Sequence, residues 1–484
     1  MFLPALFLFA APPSTEDLEN ALKRFTDVVS IVETQAADPV NSQQAIYEGA
    51  IPGMLRTLDP HSIFFDPDQN EQLKQMENSE KKGFGTIVSI LPGRVVILQA
   101  MAGSPSAKAG LEPGDQIVAV NGVELARLEF DQIVGYLGES HQHRAQLVVR
   151  RPGNARPLEF VLDPELLDSP SVDRAFMLQP GIGYIRVNGF DPQTAKQLKD
   201  AIEKLGGEKL KGLVLDLRDN PGGVVQAALE AASYFLKPGQ RILSVKGRSI
   251  EDQSVEVPKT ATPYVFPLAV LVNAKTASAA EILTGALQDH DRAVVLGEPS
   301  FGKGLVQNVF SLTGNTALAL TTAFYYTPSG RSIQKPLPSG HLEIEKQTQK
   351  FRTDSGRSVI GGGGIQPDVS IGPEPLTRLR VALDASGIFT SFATEYIQKH
   401  DTKSDAVQPG FEVSPALLEE FEVYAGQRNI QPSVGEWSEE RDWVQSRLKQ
   451  EIFNQALGVA KGDEVEERRD PEVRAAIERL VTRL

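Results

Sequence analysis

The spacing of apolar residues changes three times along this chain, and each change limits what its segment can become. From Thr15 to about Glu80 they recur at three- and four-residue steps (Leu18, Leu22, Phe25, Val28, Val29), and residues 43–58 repeat the pattern, so this region reads as helical. From 81 to about 165 the period becomes two, with strands at 95–98 and 145–149 and one amphipathic helix carrying Phe130, Ile133, Val134 and Leu137. From about Leu166 to Pro375 strands and helices alternate: strand 182–187, helix 193–205, strand 212–217, helix 224–235, strand 268–272, helix 279–289. Two further β-rich runs, 305–312 and 317–326, follow without helices between them. Residues 376–484 return to a charged helical pattern with periodic Leu417, Phe421 and Val423. The succession predicts a multi-domain α/β protein: helical region 13–80, small β domain 81–165, α/β core 166–375 and helical region 376–484. The last is expected to form an appendage or assembly surface.

The length of 484 residues suits two to four folding units. A net charge of −14 repels phosphate backbones and argues against nucleic acid as a partner. The absence of cysteine excludes disulfides, thiolate catalysis and cysteine-ligated metal. Residues 2–11 form an apolar run too short to span a bilayer, and 1–12 fit a signal peptide, although no Lys or Arg precedes them. The expected location is periplasmic or secreted; the alternative is a buried N-terminal strand.

Within 81–165, Ser104-Pro-Ser-Ala-Lys-Ala-Gly-Leu-Glu-Pro-Gly-Asp115 followed by the hairpin-type Asn121-Gly122 closely resembles a PDZ domain. Such a module binds an extended chain end by adding it as a strand, with backbone N–H groups receiving the terminal carboxylate. Gly83, Phe84 and Gly85 would supply those groups, since glycine lets backbone approach an anion closely. Ile133 and Leu137 would line the groove beside them. The alternative is a glycine turn that only helps the β domain fold.

Two other segments carry candidate chemistry. Ser278 opens the helix that follows strand 268–272, where free N–H groups and the positive dipole end stabilise a nucleophile or an oxyanion. Serine at such a junction is most often only an N-cap. Lys303 lies between Gly302 and Gly304, and Gln307 follows four residues on, an even offset that places both on one face of a strand. With a reference pKa near ~10.4, a lysine acts as a base at neutral pH only when burial or nearby positive charge disfavours its ammonium form. A neutral amide at Gln307 would hold the amine without adding negative charge. The turn Asp216-Leu-Arg-Asp-Asn-Pro-Gly-Gly223 ends another buried strand, and the amides of Gly222 or Gly223 together with that of Ala279 would form an oxyanion hole.

These segments, in this order, resemble the C-terminal processing (tail-specific) peptidases over roughly residues 50–370, and Gly363-Gly-Ile-Gln-Pro-Asp368 is similar to that family as well. The resemblance implies a crotonase-like α/β protease core with an inserted or preceding PDZ domain, and Ser278, Lys303 and Gln307 as nucleophile, base and orienting residue. It also implies no metal or cofactor, and cell-envelope protein substrates with apolar free C-termini. An adaptor protein and a homo-oligomer formed through the C-terminal helical region are further expectations. Where the family commonly has Gly-Ile-Gly this chain has Gly83-Phe-Gly85, and the Arg-Gly pattern is missing near Leu137. Asp59-Pro-His-Ser62 resembles a family segment too, but reads as a turn in which His61 is structural.

Two rival readings remain. Gly297-Glu-Pro-Ser-Phe-Gly-Lys-Gly304 is one residue short of a phosphate-binding loop, which needs Ser or Thr after the lysine and a helix beyond it; here Gly304 precedes an apparent strand. The other rival is a noncatalytic peptide-binding scaffold with a relic core. The Gly361–Gly364 run reads as a flexible connector.

Overall fold

The computed structural model describes residues 15–77, 80–140, 143–337, 349–372, 374–400 and 407–482. The expected signal peptide lies outside them. Backbone contacts divide the chain into two units: residues 1–71 with 307–322 and 337–343, and residues 72–306 with 323–336 and 344–484.

In the first unit, the helix Thr15–Gln35 follows the predicted period, yet its apolar stripe is exposed: Leu18 is 54% and Ile31 60% accessible. Residues 42–56 are continuously helical, with a wider turn over Ala45–Ala50. The strand Ile63–Phe65 pairs antiparallel with Ala317–Ala319. Between helix and strand, Asp59 closes the expected turn, its carboxylate accepting the amides of His61 (2.7 Å) and Ser62 (2.8 Å) and the Ser62 hydroxyl (2.7 Å).

The second unit contains the β domain and the α/β core. The β domain is an antiparallel sheet in the order 86–91, 94–100, 116–120, 145–150, 158–162, with the strand Val123–Glu124 beside Gln116–Val120. Its entry strand Glu80–Gly83 and exit strand Glu165–Asp168 pair with each other, so the domain is an insertion closed at its neck. Its core holds Val95, Ile97, Ile117, Val149 and, fully buried, Ile133. Ile133 is thus packing and not a groove residue, a correction of the sequence expectation, whereas Leu137 is partly buried at the edge of that core.

The core sheet has six strands: Val172–Gln179 antiparallel to Ile182–Val187, then Gly212–Asp216, Leu268–Val272, Ala293–Gly297 and Val369–Ser370, all parallel. Successive side chains face opposite sides, so Leu213 and Leu215 pack under the helices Thr194–Leu205, Val225–Ser233 and Ala279–Asp289, while Val214 faces the other way. Both faces are covered, which is why these strands are apolar runs rather than alternating ones. The second face is covered by the last helix, Pro471–Val481, through Val473, Ala476 and Leu480. That helix is part of the core and not an appendage, again a correction. The remaining C-terminal helices bury their own cluster, including Leu417 and Phe421, while Val423 is exposed. A hairpin absent from the sequence reading, Arg241–Gly247 with Ile250–Glu256, joins Phe324–Tyr326. No helix among the described residues is long and apolar enough to cross a membrane.

Candidate active site

Strand Leu268–Val272 leads into a tight turn laced to the neighbouring 216–223 loop. Thr276 donates its hydroxyl to the Leu217 carbonyl (2.7 Å), and the Ala277 amide donates to the Asn220 carbonyl (2.9 Å). Ser278 then takes φ 55°, ψ −117°, a conformation that costs a residue with a Cβ on the order of 1–3 kcal/mol. The Ser278 carbonyl accepts the amides of Glu281 (2.8 Å) and Ile282 (3.0 Å), which starts the helix directly after the strained residue. Ser278 and Glu281 stand in the N-cap and N3 positions of a capping box, with the Glu281 side chain reaching back to the Ser278 amide.

The group that holds this turn also holds the lysine. Glu281 is fully buried; its Oε2 accepts the amides of Ser278 (2.9 Å) and Lys303 (2.8 Å), and its Oε1 accepts the Gly302 amide (2.7 Å) and the Ser300 hydroxyl (2.5 Å). The backbone nitrogens of Ser278 and Lys303 therefore lie within two hydrogen-bond lengths of each other. Burial pushes the Glu281 carboxyl above its ordinary pKa, while the four donors pull it back toward ionisation.

Lys303 is half-buried in an irregular stretch before the strand Leu305–Ser311. Gly302 has φ +87°, and a Cβ there would meet Lys335 Cγ at 2.6 Å. The Gly304 amide donates to Gln334 (2.8 Å). The Gly361–Gly364 segment is no flexible connector: Gly362 and Gly364 donate to the carbonyls of Ser332 and Ile333, and the Ile365 amide donates to the Ser300 hydroxyl (2.6 Å), bracing the lysine loop. Because a strand and not a helix follows Lys303, the loop cannot aim helix amides at phosphate.

Tyr325, which the sequence reading passed over, is buried beside both candidates. Its hydroxyl donates to the Lys303 carbonyl and shares a hydrogen bond with the Ser278 side chain. Burial, then the charge of Glu281, holds this phenol well above its ordinary pKa, so it stays protonated.

The glycine turn lies against the serine. A Cβ on Gly222 would sit 2.8 Å from Ser278 Cβ and 2.9 Å from the Ala279 nitrogen, and one on Gly223 would lie 2.0 Å from the Phe190 carbonyl oxygen. The Gly222 amide donates to Asn220 Oδ1 (2.8 Å). Gln307 lies in the other unit, where its side-chain amide donates to the His61 carbonyl. Lys303 precedes the regular strand, so the even-offset argument does not by itself set which way the lysine faces.

In the β domain, the carbonyls of Phe84 and Gly85 accept the amides of Ser106 (3.0 Å) and Met101 (2.8 Å). Trans peptides carry N–H opposite C=O, which turns the amides of Gly85 and Thr86 outward, at the head of the edge strand Thr86–Leu91. Gly85 has φ +72°, and a Cβ on it would fall 2.3 Å from Ser104 Cβ.

The model of peptidase family S41 matches residues 181–340, and that of a PDZ domain matches residues 96–151. A carboxy-terminal-processing protease of Bartonella bacilliformis is 35% identical over 343 residues, 69% of this chain and 78% of that one. A carboxyl-terminal-processing protease of Synechocystis is 36% identical over 303 residues, 61% of this chain and 70% of that one. A solved photosystem II D1 C-terminal processing protease superposes with a TM-score of 0.40 at 27% identity, over 73% of this chain and 88% of the other. The chain belongs to the C-terminal processing serine peptidases of family S41 that carry a PDZ domain.

Proposed function

We propose that this peptidase captures the free C-terminal tail of extended or unfolded proteins on its PDZ domain and cuts near that end by a Ser278–Lys303 acyl-enzyme mechanism. The single observation that carries the reading is the Glu281 carboxylate bonded to the backbone amides of both residues. In the first step neutral Lys303 takes the Ser278 proton and the serine oxygen attacks the peptide carbonyl. The Ala279 and Gly223 amides stabilise the tetrahedral anion. Lys303 then protonates the leaving amine, and water, deprotonated by the same lysine, hydrolyses the acyl-enzyme. Gln307 as the residue that orients the lysine rests on the family resemblance alone.

On the PDZ side, the tail adds beside the edge strand Thr86–Leu91 and its carboxylate meets the outward amides of Gly85 and Thr86. Phe84, larger than the isoleucine common at this place in the family, favours smaller apolar end residues. The working compartment in this reading is the cell envelope. The test is turnover of an unstructured peptide with an apolar free C-terminus: the intact chain cuts it, Ser278→Ala does not, and amidating the peptide's end raises KM. Undiminished turnover by Ser278→Ala overturns the mechanism.

A further inference from the structure

Among the described residues, the densest charged cluster joins the C-terminal helices to the turn that carries Gly222 and Gly223. Arg218 stands four residues before Gly222 on this turn, and its side chain is 17% accessible. Its Nε and Nη2 donate to buried Asp216 (3.0 and 2.6 Å), Nη1 donates to Asp470 (2.6 Å) and Glu472 (2.8 Å), and Nη2 also donates to Glu467 (3.2 Å). These bonds use all five guanidinium hydrogens, and three of the four carboxylates come from the helices Val459–Arg469 and Pro471–Val481 or the residue between them.

Asp470 does two jobs. One of its oxygens caps the last helix by accepting the amides of Glu472 (2.8 Å) and Val473 (3.1 Å), while the other holds Arg218. The helix start and the turn are therefore fixed by one side chain. Beyond Arg218 the turn is strained: Asp219 has φ 58°, which a non-glycine residue keeps only where its surroundings over-determine it. On its far side the turn bonds to the Ser278 segment through Asn273 to the Asp219 amide (3.0 Å) and through Asn220 to the Ala277 amide.

We propose that the two C-terminal helices are a positioning clamp on the oxyanion turn, gripping Arg218 so that Gly223 and Ala279 face the tetrahedral anion. This rests on the catalytic reading above and adds a role for a region that otherwise looks like scaffold. An oxyanion donor matters only in the transition state, so loosening the clamp lowers kcat and leaves KM nearly unchanged. Packing alone predicts something else: substitutions in the C-terminal helices would lower the melting temperature and leave kcat of the folded enzyme alone.

The experiment uses the full chain above the pH range in which the cluster's carboxylates titrate. Glu467→Gln/Glu472→Gln removes two of the charges on Arg218 while keeping side-chain shape, and Val473→Ala weakens the apolar docking without touching charge. The clamp predicts a kcat loss of about ten- to a hundredfold for the double variant with KM within about twofold, and an unchanged kcat for Val473→Ala despite its lower melting temperature. Arg218→Lys, which keeps the charge but cannot span four carboxylates, should share the kcat loss, and decides the matter if the double variant misfolds. A wild-type kcat in the charge variants, or a loss that merely tracks melting temperature as in Val473→Ala, overturns the clamp. Ser278→Ala in the same assay separates the two claims: turnover by that variant removes the catalytic reading, whereas an inactive Ser278→Ala beside a fully active charge variant removes the clamp alone.

Discussion

Glu281 is the residue whose removal should do the most damage for its size. Its carboxylate accepts from four donors in a site closed to water, two on each oxygen. In Glu281→Ala those donors lose their partner together, and a buried donor left unpaired costs roughly 1–3 kcal/mol, so even with relaxation the loss is on the order of 4–8 kcal/mol. That is comparable to the whole stability of a typical domain, roughly 5–15 kcal/mol. Glu281→Gln is a graded probe. The amide retains one acceptor oxygen, which can serve the Ser278 and Lys303 amides, and presents NH2 to the other pair. The Ser300 hydroxyl can turn to accept from it, but the Gly302 amide cannot. The expected loss is therefore about 1–3 kcal/mol, with turnover falling far less than in Glu281→Ala. Denaturant unfolding followed by tryptophan fluorescence, paired with peptide turnover at a temperature where each variant is folded, reads both quantities. If Glu281→Ala unfolds at the wild-type midpoint and turns over at the wild-type rate, the carboxylate does not hold the two loops and the reasoning fails.

Other outcomes follow from the same geometry. Gly85→Ala places a methyl 2.3 Å from Ser104 Cβ on a positive-φ residue, so tail binding measured in a Ser278→Ala background should weaken by about ten- to a hundredfold. Unchanged affinity would exclude this loop as the carboxylate site. Burial pushes Glu467 and Glu472 up to about 7 and Asp463 up to about 6. Carboxyls with raised native pKa values contribute stability that is complete below their unfolded values and lost as pH climbs through the native ones. Stability should accordingly fall between about pH 5 and pH 8, by up to ~1.4 kcal/mol per pH unit for each titrating group, with the melting temperature falling in step, and Glu467→Gln/Glu472→Gln should flatten that slope. A melting temperature that rises over this interval would contradict the burial of these groups.

The parts legible in the sequence were those whose physical demands are local. The parallel strands stood out because burial on both faces makes them continuous apolar runs, and the turns around Ser278 and Lys303 because their backbone geometry calls for small or glycine neighbours. The role of Glu281 had a local signal as well: an acid three residues after Ser278 is a capping-box spacing, although its bonds to the Lys303 loop cross 22 positions. Tyr325 and the grip on Arg218 join residues 22 and about 250 apart in sequence, and no periodicity reports such pairs. Ile133 was misplaced because a helical stripe cannot say which apolar residue faces the core and which the groove. The Gly361–Gly364 run was misread because composition suggests freedom, whereas Gly364 is there to let backbone approach: a Cβ on it would lie 2.5 Å from the Ser300 carbonyl oxygen. The hairpin 241–256 escaped because its strands are partly exposed and carry a weak apolar alternation.

The most direct measurement of the central claim is to react the full chain with a fluorophosphonate probe across pH and map the adduct by peptide mass spectrometry. The account predicts one adduct, on Ser278, forming faster as pH rises through the lysine's titration and failing to form in Lys303→Arg, whose guanidinium keeps its proton. An adduct on another residue, or undiminished labelling of Ser278 in Lys303→Arg, would contradict it.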